Sequence, residues 1–152
     1  MRVKILILAP ICAALMSPAA AFADDAKTIA ETAHHAYVTA INSNDTDTLM
    51  AAMTSDIVYQ SPGEPELVGQ AAVRKWVANY FAAVKSVWDK QTLSFTVSGD
   101  WAVERYSWKV TETDRKTGVT AHTTGKGINI YHHDTDGHWR VAIDGWSGDA
   151  AQ

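Results

Sequence analysis

The sequence predicts an α+β fold, with three helices in the first half packed on one face of a curved antiparallel sheet built from the second. Two observations carry this expectation. Apolar residues recur at three- and four-residue spacing as far as Val84, and at every second residue beyond Lys85. The alternating half is then divided by Ser98-Gly99-Asp100, Asp114 to Gly118 and Asp134 to Gly137 into strands joined by short turns. Helices first and a strand meander afterwards is the pattern of helices laid on an antiparallel sheet.

The chain opens with a segment to be set apart from the fold. Arg2 and Lys4 precede an apolar run from Ile5 to Met16, and Ala21-Phe22-Ala23 places small residues before Asp24. That is the anatomy of a secretory signal peptide over residues 1–23, too short in its apolar part to span a bilayer comfortably. Cleavage after Ala23 is expected, with one domain over residues 24–152 and a bacterial periplasmic or secreted destination. The lone cysteine, Cys12, falls in the leader, so the domain has no disulfide framework and must stand on its core. Without Arg2 and Lys4 the 13 basic residues become 11 against 17 acidic ones, a formal charge of −6. No basic stripe is present for nucleic acid, and no second apolar segment for a membrane.

The first helix places Ile29, Ala33, Ala36, Tyr37, Ala40 and Ile41 on one face, and Thr28 with Glu31 has capping-box spacing at its start. Asn44 or Asp45 caps a second helix with Leu49, Met50 and Met53 inward. Pro62, Gly63, Pro65 and Gly69 punctuate a loop, and a third helix carries Val73, Trp76, Val77, Tyr80, Phe81 and Val84 as one stripe. Among the strands, Gln91, Leu93, Phe95 and Val97 share a face. So do Ala102, Glu104, Tyr106, Trp108 and Val110. The Asp114 to Gly118 loop closes a hairpin at Gly118, where a positive φ suits glycine. Pairing Asp114 with Val119 sets Glu104 opposite Asn129, Tyr106 opposite Gly127 and Trp108 opposite Gly125, large rings against glycines.

Residues Tyr37 to Pro62, YVTAINSNDTDTLMAAMTSDIVYQSP, carry a family resemblance: a helix ending in Asn42-Ser43-Asn44-Asp45, a short helix, and a strand running from Ile57 into Ser61-Pro62-Gly63. The run resembles the start of a ketosteroid isomerase-like domain of the nuclear-transport-factor-2-like, SnoaL-like superfamily. The resemblance implies a cone-shaped fold around one pocket for an apolar small molecule, and a homodimer formed through the outer sheet face, where Ile128 and Ile130 point. It implies no cofactor. It also places the family's oxyanion donors at Tyr37 and Asn129 and its catalytic aspartate at Ser61, whose hydroxyl has no comparable basicity. The donors are retained and the base is not, so steroid isomerisation is not expected.

Two other acids are candidates for the catalytic role. Asp144 shares a strand face with Trp146, and SnoaL-like cyclases, limonene epoxide hydrolases and similar enzymes take acids from their later strands. Glu104 is the single charge on an otherwise apolar face, where a raised pKa would suit a general acid. The limonene epoxide hydrolase pattern of arginine, any residue, aspartate has no counterpart, because Ser107 follows Arg105 at that spacing. Tyr59, Ser61, Tyr106, Trp108 and Trp146 are expected to line the ligand space. No metal site is expected: His34-His35 lie on a helix and His132-His133 on a strand, neither at a spacing that turns two imidazoles to one ion. Three functions stay open, namely a cofactor-free isomerase, lyase or hydrolase, a noncatalytic binder of an apolar ligand, and an assembly module. A filled pocket favours the last.

Overall fold

The computed structural model describes residues 18–149, which form three helices and six strands. The leader expected over residues 1–23 lies largely outside the described residues. α1 (Pro18–Asn42) is one continuous helix, so Thr28 and Glu31 sit within it and not at its start. Ala33, Tyr37, Ala40 and Ile41 are buried along one side, whereas Ala36 is exposed because it falls on the flank of that stripe. α2 (Thr46–Ala51) is capped by Asp45, whose carboxylate accepts from the Thr48 amide at 2.8 Å. Leu49 and Met50 are its buried residues; Met53, expected on the same helix, is buried as the first residue of a strand. α3 (Gln70–Ala83) buries Val73, Val77 and Phe81, and Val84 already belongs to the next strand.

The strands are β1 (Met53–Gln60), β2 (Leu67–Val68), β3 (Val84–Ser98), β4 (Trp101–Asp114), β5 (Thr120–His133) and β6 (Trp139–Gly148). They form one curved, unclosed sheet in the order β2-β1-β6-β5-β4-β3. β1 runs parallel to β6, and the remaining pairs are antiparallel. β2 is a two-residue edge strand within what the prolines and glycines mark as loop. The return of β1 beside β6 matters most for function, because it sets Tyr59 next to Asp144.

The hairpin between β4 and β5 has the expected register, with Glu104 opposite Asn129, Tyr106 opposite Gly127 and Trp108 opposite Gly125. The glycines are required there. A Cβ on Gly125 would stand 2.3 Å from the Trp108 ring, and one on Gly127 2.4 Å from the Tyr106 ring. Gly118 closes the turn with φ of 72°.

β3 departs from the expected alternation. A bulge between Thr92 and Ser94 changes which side chains face inward. Before it, Ser86 and Lys90 are buried and Trp88 is half-buried; after it, Phe95 and Val97 pack against the core. Gln91 and Leu93 are exposed, on the opposite parity from that expected. A lysine thereby enters the interior. α1 and α3 cover the inner face of the sheet, with Tyr37, Ile57, Val77, Tyr131 and Val141 in the shared core. Among the described residues, no helix is long and apolar enough to cross a membrane.

Candidate active site

One row of the sheet holds the polar interior. Tyr59 on β1, Asp144 on β6, Asn129 on β5 and Glu104 on β4 are successive cross-strand partners, all pointing inward and all buried. The row therefore carries two carboxyls separated by an asparagine, and α1 lies across it with Tyr37 and His34.

Asp144 is the centre of the first cluster. Its Oδ1 accepts from the Tyr106 hydroxyl at 2.9 Å and its Oδ2 from the Tyr37 hydroxyl, so both oxygens act as acceptors. The Tyr37 and Tyr59 hydroxyls are 3.2 Å apart. Burial, and then the Asp144 charge, push all three phenols well above the ordinary tyrosine range, which keeps them protonated as donors. Lys90 arrives from β3. Its Nζ lies 3.6 Å from the Tyr106 ring centroid and 4.6 Å from that of Tyr37, a cation held on two aromatic faces. Burial pushes its pKa down; the Asp144 and Glu104 charges oppose this without cancelling it.

This cluster opens on a slot lined by Asp144, Lys90, Tyr59, Tyr106, Trp88 and Trp146, with Trp76 and Tyr80 from α3. The half-buried rings form its outer side. Trp76 stacks on Tyr80 at 5.4 Å and meets Trp146 edge-on at 6.1 Å, while Tyr59 meets Trp146 edge-on at 5.4 Å. The free volume inside is only about 30 Å³, on the scale of a single water.

Glu104 forms a different cluster. It is fully buried and accepts from the Tyr131 hydroxyl at 2.7 Å, the Thr92 hydroxyl at 2.5 Å and the His34 ring at 2.7 Å. The other His34 nitrogen bonds the Lys90 carbonyl at 3.1 Å. Burial raises the Glu104 pKa, but the bonds from His34, Thr92 and Tyr131 outweigh it and leave the carboxyl below its ordinary value. The raised pKa expected of a general acid is therefore not found, and Glu104 does not line the slot.

The remaining expected site residues divide similarly. Asn129 spends its amide N–H on the Tyr131 hydroxyl at 3.2 Å, and its Oδ1 is buried without a hydrogen-bond partner. Trp108 sits in a satellite cluster with Tyr106 and Val110, its indole N–H on the Lys126 carbonyl at 3.3 Å. Ser61 is outside the slot and bonds Glu64 in the following loop, which also accepts from the Trp76 indole. Tyr37, Tyr59, Tyr106, Asp144 and Trp146 are brought together; Ser61, Trp108 and Glu104 are not. Lys90, His34, Thr92 and Tyr131 were not anticipated. Lys90 shares parity with Val84, Ser86 and Trp88, a pattern legible when β3 is read forward from the end of α3. Among the described residues, no group of three or more histidine, aspartate or glutamate side chains gathers as a metal site.

On the outer side of the sheet, a trough of about 600 Å³ runs over Leu93, Arg105, Ile128, Ile130 and Ile143.

A row of polar groups under helices on a curved sheet can now be compared with known proteins. The SnoaL-like domain profile matches residues 34–142. The chain belongs to the SnoaL-like domain family. Its fold is that of the nuclear-transport-factor-2-like superfamily. A ketosteroid isomerase-like protein from Erwinia carotovora atroseptica is 27% identical with a TM-score of 0.74, over 82% of this chain and 96% of that one. A nuclear transport factor 2-like superfamily protein from Salmonella enterica serovar Typhimurium is 20% identical with a TM-score of 0.71, over 86% and 94%. A candidate dehydratase of the NTF2-like family from Streptomyces avermitilis is 18% identical with a TM-score of 0.75, over 84% and 99%. No curated protein matches the sequence.

Proposed function

We propose that this SnoaL-like domain is an exported enzyme of isomerase, lyase or hydrolase type, which moves protons on a small, largely apolar molecule without a cofactor, through Asp144. The observation that carries the proposal is the placement of Asp144 on the slot with a phenol bonded to each oxygen. Those phenols fix the carboxylate and can follow its charge as a proton arrives or leaves. The isomerase-like and dehydratase-like names of structural neighbours agree with such chemistry. Ligand entry requires the slot to widen, because its present free volume is only about 30 Å³.

The test is hydrogen exchange. The protein is incubated in D₂O with small ketones, esters and lactones, and deuterium uptake at acidic C–H positions is followed by NMR. Wild type is expected to catalyse uptake on at least one compound. Asp144→Asn should lose about 100-fold or more of that rate, the typical worth of a positioned base. Equal rates in the two proteins would overturn the assignment.

A second reading is an assembly module, favoured by the nearly filled slot and the large outer trough. Against it stands the ionic interior. Burying Lys90, Asp144 and Glu104 costs several kcal/mol per ion before pairing, and a core serving only assembly is at least as stable when apolar. Export rests on the residue 1–23 leader and predicts a secreted form beginning at Asp24, to be read by intact mass.

A further inference from the structure

We infer that Lys90 is a covalent catalytic residue, and that the site takes a neutral aldehyde or ketone as a Schiff base on its Nζ. This deepens the acid–base proposal and rests on it only in assigning the later proton to Asp144. Lys90 lines the slot, and its Nζ lies over the two rings whose hydroxyls hold Asp144. Among the described residues it donates no hydrogen bond; its contacts are ring faces and the fields of two carboxyls. A lysine serving only as structure would be expected to spend its donors on carboxylate or carbonyl oxygens. This one is kept near acids but off them, in a cage of rings where burial lowers its pKa and so favours the free amine that a nucleophile requires.

The charge balance of the interior selects the ligand class. Glu104 is already engaged by His34, Thr92 and Tyr131, which leaves the Asp144 carboxyl bordering the slot beside Lys90, so a second anion such as a carboxylate substrate meets repulsion. A neutral carbonyl compound does not. Its reaction with Lys90 restores a cation where the two carboxyls favour one. The nitrogen lone pair attacks the carbonyl carbon and the C=O π pair moves to oxygen. The nitrogen gives its two protons to the oxygen, which departs as water while C=N forms, and a further proton taken up from solvent gives the iminium. Breaking the adjacent C–H sends its electron pair toward the C=N carbon, yields the enamine, and passes the proton to Asp144.

The experiment is reductive trapping of the full-length mature protein with limiting hexanal and cyanoborohydride at neutral pH, followed by intact mass and peptide mapping. The expected result is one hexyl group per chain, located at Lys90, ahead of every surface lysine. The Lys90→Arg protein, checked by thermal melt, should lose that adduct. Asp144→Asn should still be trapped while losing hydrogen exchange, which separates the two proposals. Labelling of surface lysines with Lys90 unmodified in wild type overturns the inference without needing any variant. So does Lys90→Arg retaining full exchange, and in that case the role of Asp144 stands.

Discussion

Asp144 and Glu104 occupy the same row of the same sheet, one asparagine apart, and yet their surroundings differ in kind. Glu104 accepts from three side chains and has no access to the slot, so its environment completes it. Asp144 accepts from two phenols and borders the slot beside an amine that no acceptor engages. Burial alone therefore does not mark a working acid. What distinguishes the two is whether the hydrogen-bond shell is closed by protein or left facing free space, and this depends on which helix and which strand parity lie above each residue.

The sharpest way to disturb one side only is Gly127→Ala. The new Cβ would collide with the Tyr106 ring at 2.4 Å and the Gly145 carbonyl at 2.7 Å, displacing a donor of Asp144. A loss of about 1–3 kcal/mol is expected, together with a fall in hydrogen exchange that Glu104-side variants do not show. Chemical denaturation with the D₂O assay reads both. Glu104→Gln comes next, at about 2 kcal/mol, because it replaces an acceptor of charged bonds with an amide that cannot satisfy the same three donors.

The same variant carries a pH signature. The Glu104 pKa is lowered in the fold, so its contribution is complete above the ordinary carboxyl value of 4.5 and disappears as pH falls through the lower folded value. Wild type should lose its margin over Glu104→Gln on acidification, as followed by thermal melts between about pH 7 and pH 3. A constant margin would mean that the carboxyl is not what holds the cluster.

Smaller effects lie outside the row. Ile128 is 48% exposed at the outer trough, and we propose that a second copy covers it; Ile128→Lys should weaken a dimer in analytical ultracentrifugation, and a monomeric wild type would contradict this. The smallest effect is expected of Ser61→Asp. Its side chain faces Glu64 and not the slot, so conversion of Δ5-3-ketosteroids to Δ4 isomers should remain absent in both wild type and variant.

The helices, the hairpin register and the inward position of Asp144 were legible because they follow from periodicity and one turn. Pairing Asp114 with Val119 was enough to set Glu104 against Asn129 and the two rings against their glycines. The interior amine is hidden from a reading that extends the Phe95 and Val97 face backward, because a single extra residue at Leu93 inverts strand parity and no local composition marks the bulge; only the forward reading through Val84, Ser86 and Trp88 carries its register. The fate of Glu104 was hidden for a different reason. Its partners His34, Thr92 and Tyr131 come from three elements, and only their meeting turns an isolated acid into a saturated one.

The central claim is that Asp144 works while Glu104 holds the fold, and one paired measurement addresses it. Asp144→Asn and Glu104→Gln are each assayed for hydrogen exchange in D₂O and for melting temperature under identical conditions. The account predicts opposite signatures: Asp144→Asn loses exchange with little change in melting, and Glu104→Gln melts lower while its folded fraction still exchanges. Loss of exchange in Glu104→Gln below its melting transition, with Asp144→Asn still active, would contradict it.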